Sequence, residues 1–187
     1  MMKTKKKIMV VIATLGISAG AIYGQTSQKD DPTIEVKGIK NTYIQKEVPG
    51  LYCIWNKNNK LDEIDPSYLF FQHIPPIALN DRSLIDEIVQ KHLGIYFKQY
   101  KRKFNPSTNL GFYLYADIDG NIKEMYMSYP KEIGMIPATV IEALEEDILK
   151  SDIKLIFDKN HRVFKGSAWV GLSVGFDPNE IRDCKTE

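Results

Sequence analysis

Between Phe112 and Tyr129 the chain alternates with a period of two. Phe112, Leu114, Ala116 and Ile118 are separated by Tyr113, Tyr115 and Asp117; Asp119-Gly120 follows, and Ile122 to Tyr129 alternates again. That period puts every second side chain on one face of a strand. An Asp-Gly pair between two such runs is a hairpin signal, because glycine adopts the left-handed backbone that tight hairpin turns need. A hairpin of known register decides which side chains share a face, so strands are expected at Leu110–Ile118 and Ile122–Tyr129. After Gly134, Pro137 suits the first turn of a helix. Val140, Ile141, Leu144, Ile148 and Leu149 form its apolar stripe, with Glu142, Glu145, Glu146 and Asp147 assigned to water. Ile153–Phe157 and Trp169–Phe176 read as two further strands.

The earlier half has similar components. Ile34–Gln45 holds one or two short strands, and Gly50–Trp55 another, ending in the turn-like Asn56-Lys57-Asn58-Asn59. The apolar run Tyr68–Ile74 stops at Pro75-Pro76. Asn80, Asp81 and Ser83 are candidate N-caps, with Ser83 and Asp86 approximating a capping box. Leu84, Ile85, Ile88, Val89 and Leu93 make one helical face, and Gly94 reads as its terminator. Residues 105–109 (NPSTN) form the best interior linker. The expected fold is α+β: an antiparallel sheet packed against two helices. Two diverged β-hairpin–helix units, 34–105 and 106–187, are a further reading. In it, Gly50-Leu51-Tyr52 to Leu61-Asp62-Glu63 corresponds to Gly111-Phe112-Tyr113 to Ile122-Lys123-Glu124.

The first 24 residues read as an address. Lys3, Lys5, Lys6 and Lys7 precede the uncharged run Ile8–Ala21, and small residues surround Ala19, Gly20 and Ala21. This is the order of a secretory signal peptide, cleaved after Ala21 or Gly24. The run is too short to cross a hydrocarbon core comfortably, which takes about 20 apolar residues. Export to the periplasm or beyond is therefore expected, with no membrane span after cleavage. Residues 25–33 (QTSQKDDPT) form a polar tether before a single domain at 34–187. Without the leader, 21 Lys plus Arg face 24 Asp plus Glu, a net charge of −3. That balance argues against nucleic acid, which attracts basic surfaces. Lys98, Lys101, Arg102 and Lys103 interleave with Tyr96, Phe97, Tyr100 and Phe104. This reads as a solvated helix end with inward aromatics, or alternatively as a patch for anionic glycan or lipid headgroups.

Chemistry-bearing motifs are sparse. Cys53 and Cys184 are the two cysteines, and in an exported chain they are a candidate disulfide; the alternative is a buried Cys53 thiol in the apolar run LYCIW. Gly171-Leu172-Ser173-Val174-Gly175 matches a G-x-S-x-G elbow, but only twelve residues follow and none is histidine. Asp117-Ile118-Asp119-Gly120-Asn121 suits a hairpin turn better than a calcium loop, whose glycine stands at position 6 and glutamate at 12. His73, His92 and His161 share no metal-ligand spacing. No catalytic, metal or cofactor residues are assigned from the sequence.

The order strand, Asp-Gly turn (ADIDGNI), strand, striped helix and aromatic-ended strand (WVGLSVGF) resembles the C-terminal domain of TonB-type envelope proteins, over residues 110–176. The resemblance implies a small α+β unit that docks partner peptides along an exposed sheet edge by adding a strand. A TonB transducer also has an uncleaved anchor and a proline-rich spacer, neither of which is found in this sequence. The expected function is a non-enzymatic periplasmic or secreted module. It would bind an envelope protein or peptide at that edge, with Tyr113, Tyr115, Tyr126 and Trp169 as the partner-binding aromatics. A glycan- or lipid-binding envelope protein is the alternative, and a small secreted hydrolase using His73, His161 and nearby carboxylates is a third.

Overall fold

The computed structural model describes residues 33–64, 69, 73–100, 103–105 and 108–183. The leader, residues 25–32 of the tether, most of the Tyr68–Ile74 run, Lys101, Arg102 and Cys184 lie outside the described residues. The strands are β1 (Thr33–Lys37), β2 (Thr42–Val48), β3 (Leu51–Asn56), β4 (Ala78–Leu79), β5 (Leu110–Ala116), β6 (Ile122–Pro130), β7 (Leu155–Ile156) and β8 (Val170–Phe176). The helices are α1 (Arg82–Lys98), α2 (Ala138–Lys150) and the short α3 (Pro178–Asp183). Six strands form one sheet in the order β1-β2-β3-β6-β5-β8, and β4 pairs with β7 in a small second sheet. Every pairing is antiparallel. The fold is α+β, as expected.

The alternation in the sequence builds the main layer. Leu110, Phe112 and Leu114 of β5 and Met125, Met127 and Tyr129 of β6 point to the helices and are buried. They meet Ile85, Val89, Leu93 and Phe97 of α1 and Ile141, Leu144 and Ile148 of α2 in a core that extends from Tyr43 to Ile181. Each such large apolar side chain contributes about 1.5–3 kcal/mol on burial, and because this core draws on both halves of the chain, it makes them one body. A second, smaller cluster of Ala116, Leu155, Val163, Phe164 and Val170 sits beside the β4–β7 pair. It is tied to the β5–β6 turn by the Leu155 amide, which donates to the Gly120 carbonyl at 2.8 Å.

Local chemistry sets the element ends. Asp81 caps α1 by accepting the Leu84 amide at 3.0 Å, as its sequence position suggests. The helix does not stop at Gly94. That glycine is buried mid-helix under the Gln90 amide, which would lie 2.3 Å from any Cβ there, and the helix runs on to Lys98, burying Phe97. Strand β5 ends at Ala116, two residues early, because the Asp117 carboxylate accepts the amides of Asp119 and Asn121 at 3.0 and 2.9 Å. This side-chain turn redirects the chain, and Gly120 completes it at φ +84°.

Three expectations require correction. Both halves do contain a hairpin followed by a helix (β2–β3 then α1, β5–β6 then α2), and β3 and β6 are neighbours at the centre. The residue-level correspondence fails, however: Leu61–Glu63 is a 3-10 turn, and the first hairpin lies upstream at Thr42–Asn56. The strand expected at Ile153–Phe157 shrinks to Leu155–Ile156, in the small sheet. On α2, Glu142 and Glu145 do not face water; each is only 3% exposed.

Candidate docking edge and its surroundings

The sheet has two end strands, and they differ in chemistry. β1 (TIEVK) is mostly exposed and charged, a composition that discourages further pairing. β8 (VGLSVGF) bears no charge along its length and pairs with β5 alone among the described strands. The Asp117 amide bonds to Asn121 across the β5–β6 turn, so the odd-numbered residues of β5 turn their backbones to β6 and the even-numbered ones to β8. With Phe112 opposite Val174 and Leu114 opposite Leu172, alternation aims the backbone groups of Gly171, Ser173 and Gly175 away from β5. Consistent with that direction, the Gly175 carbonyl accepts from Arg82 Nη2 at 3.1 Å. Arg82 therefore covers one end of the edge; its guanidinium also lies 4.4 Å from the Phe176 ring centroid and bonds Asp86 at 2.8 Å. Beside this end runs a groove of about 670 Å³ between α1 and α3, with Ile95, Phe176, Ile181, Lys98, Glu87 and Glu180 in its walls.

The sheet face turned away from the helices is aromatic at its centre. Ile44, Trp55, Tyr126, Tyr113 and Ser173 stand directly opposite one another across five strands. Tyr113 and Tyr126 stack with centroids 4.1 Å apart and planes 4° from parallel. Burial, then the neighbouring Tyr113 and Tyr115 phenols, push the Tyr126 hydroxyl far above the ordinary tyrosine range, so it stays neutral. Tyr115 meets Trp169 edge-on at 4.8 Å, and the Trp169 indole donates to the Ile64 carbonyl. Tyr115 and Trp169 are only 7% and 6% exposed. Of the four aromatics expected to meet a partner, these two are thus packing residues, while Tyr113 and Tyr126 are half-buried. Ser173 and Gly175, small residues of β8, stand on the same face as the Tyr113 ring, which itself lies against Gly111.

The remaining candidate residues are dispersed. Cys53 is a free thiol on β3, so the expected bridge to Cys184 is not formed; burial raises its pKa, only partly offset by Lys46. Ser173 sits mid-strand opposite Tyr113 rather than on a strained turn. His92 bonds Asp147 at 2.8 Å, and the Asp147 carboxyl is held below its usual range by Lys91 and then His92. His161 accepts the Val163 amide within its turn. Of the cationic run, Lys103 pairs with Asp183 at 3.8 Å, while Phe97 and Phe104 point into the core. No group of three or more potential metal ligands occurs among the described residues.

Sequence reasoning missed the carboxylates of α2. Glu142 accepts the backbone amides of Ile39, Lys40 and Asn41 in the β1–β2 loop. Burial opposes its charge, yet these three donors outweigh burial and hold its pKa below the usual value. Glu145 accepts the Tyr43 hydroxyl at 2.6 Å and the Asn56 amide at 3.0 Å. There burial dominates and the pKa rises. The signal was present: Glu145 lies four residues after Ile141 and three before Ile148, inside the apolar stripe.

A six-stranded antiparallel sheet with helices on one face and a partly covered aromatic row on the other defines the class of α+β protein to which this chain conforms. Among solved structures it is similar to a DUF5043 family protein from Bacteroides uniformis ATCC 8492, with TM-score 0.53 and 14% identity, over 80% of this chain and 93% of that one. At that identity the likeness concerns the fold. No family model matches the chain, and no curated protein matches it. No helix among the described residues is long and apolar enough to cross a membrane.

Proposed function

We propose that this chain is a non-enzymatic periplasmic or secreted module that docks an extended segment of an envelope protein or peptide along β8. The observation that carries the reading is the uncharged end strand, which pairs with β5 alone among the described strands and aims the Ser173 backbone outward. Backbone bonds supply affinity in strand addition, and alternate side-chain positions supply selectivity. The leader-like first 24 residues support export, and the TonB-like element order over residues 110–176 supports edge docking. The half-buried Tyr113–Tyr126 stack, with Ser173 opposite Tyr113, favours one second reading, a glycan whose ring lies on Tyr113.

Panning displayed random peptides against the exported chain tests the main reading. Selected peptides are expected to lose at least tenfold in affinity when alternate amides are N-methylated, and again against Ser173→Pro, which removes an outward amide. Binding indifferent to both changes refutes strand addition. Selection of oligosaccharides on a glycan array, with binding abolished by Tyr113→Ala, moves the assignment to the second reading.

A further inference from the structure

We infer that β1 is an acid-releasable strand, held on the sheet by the carboxylate face of α2. β1 contributes little to the core: four of its five residues are exposed, and only Val36 packs against it. Beyond its ladder with β2, the loop that follows β1 fastens it to α2. Three consecutive amides of that loop converge on Glu142. Gly38 sits so close that an added Cβ would lie 2.7 Å from Glu142 Oε2. Lys40 extends over the same helix face to Glu146 at 2.7 Å, and Glu146 also bonds Lys150 at 3.1 Å. Midway along β1, Glu35 pairs with Lys57, which follows β3, at 2.6 Å on an exposed surface.

β2 is anchored differently. Tyr43 is 1% exposed in the main core, and Gln45 is 4% exposed. The titrating groups around the two attachments move in opposite directions. Glu142 and Glu146 have depressed pKa values, Glu142 through its backbone donors despite burial and Glu146 chiefly through Lys40 and Lys150. Their contribution is present above the ordinary carboxylate range and disappears as pH falls through the folded values. Glu145, under β2, has a raised pKa, so it takes up its proton first, and that uptake favours the folded form. Acid therefore loosens β1 while β2 stays attached, and the outer edge of β2 becomes available for pairing.

Hydrogen exchange of the exported chain at pH 7 and pH 3, corrected for intrinsic rates, reads this directly. The β1 amides that bond β2 are expected to lose at least tenfold in protection at pH 3, while the β3 and β5 amides keep theirs. Glu142→Gln is expected to show the same β1 loss already at pH 7. Glu146→Gln, which breaks only exposed pairs, should leave β1 within threefold of the parent. Simultaneous loss of protection in β1, β3 and β5 at pH 3 overturns the inference, as does a Glu142→Gln chain with parental β1 protection. If Glu142→Gln fails to fold, the acid experiment on the parent chain decides alone.

Discussion

Tyr43→Phe isolates one buried charged hydrogen bond. The ring stays in the core, where Tyr43 is 1% exposed, and only the hydroxyl that donates to Glu145 at 2.6 Å is lost. Glu145 then retains the Asn56 amide at 3.0 Å. Hydrogen bonds to charged groups contribute about 1.5–3 kcal/mol, so a loss of about 2 kcal/mol is expected at pH 7. With a urea slope of roughly 2 kcal/mol per M, the midpoint should fall by about 1 M. The pH dependence follows from the direction of the Glu145 shift. Burial raises its folded pKa, and the Tyr43 hydroxyl is the largest influence lowering it. Without that hydroxyl the folded pKa rises further, so the variant binds its proton at a higher pH than the parent. The stability gap must then narrow as pH falls through those values. Urea titrations at several pH values between 7 and 4 measure this. A loss under about 0.5 kcal/mol, the scatter of ordinary surface changes, or a gap constant with pH, would refute the buried-carboxylate account.

Gly120→Ala should be among the most damaging single changes in the β5–β6 turn. The glycine holds φ +84°, and a Cβ would fall 2.2 Å from the Leu155 carbonyl oxygen; a loss above about 2 kcal/mol in urea midpoints is expected, combining strain and backbone displacement. Cys53 should be a slow nucleophile: its half-buried thiol has a raised pKa, and thiolate is the reactive form. Peptide mapping after alkylation at pH 8 should show Cys53 labelled at least tenfold more slowly in the folded chain than in urea; equal rates would contradict the burial.

What could be read in the sequence was local. The Phe112–Tyr129 alternation with its Asp-Gly turn and the Asp81 cap depend on residues within a few positions, and the structure shows them with ends shifted by one or two. What escaped was set by distant partners. Glu142 is buried because a loop about 100 residues upstream offers it three amides. Trp169 and Tyr115 are covered by each other and by neighbours such as Ile64 rather than presented to a ligand. Gly94 looked like a helix stop because the Gln90 amide lying over it has no signature in composition. The β8 edge was partly legible, since an uncharged terminal strand is visible in sequence; its outward backbone direction required the register with β5.

The central pairing of β3 with β6 joins strands about 70 positions apart in the chain, whereas β1–β2, β2–β3 and β5–β6 are all joined by short turns. Closing a loop of that length costs entropy before any long-range contact rewards it. The two hairpins can therefore form early and independently, and the seam between them sets the pace of refolding. Substitutions at Ile54 or Met127, which face each other across that seam, should slow folding more than comparable changes at the sheet margins.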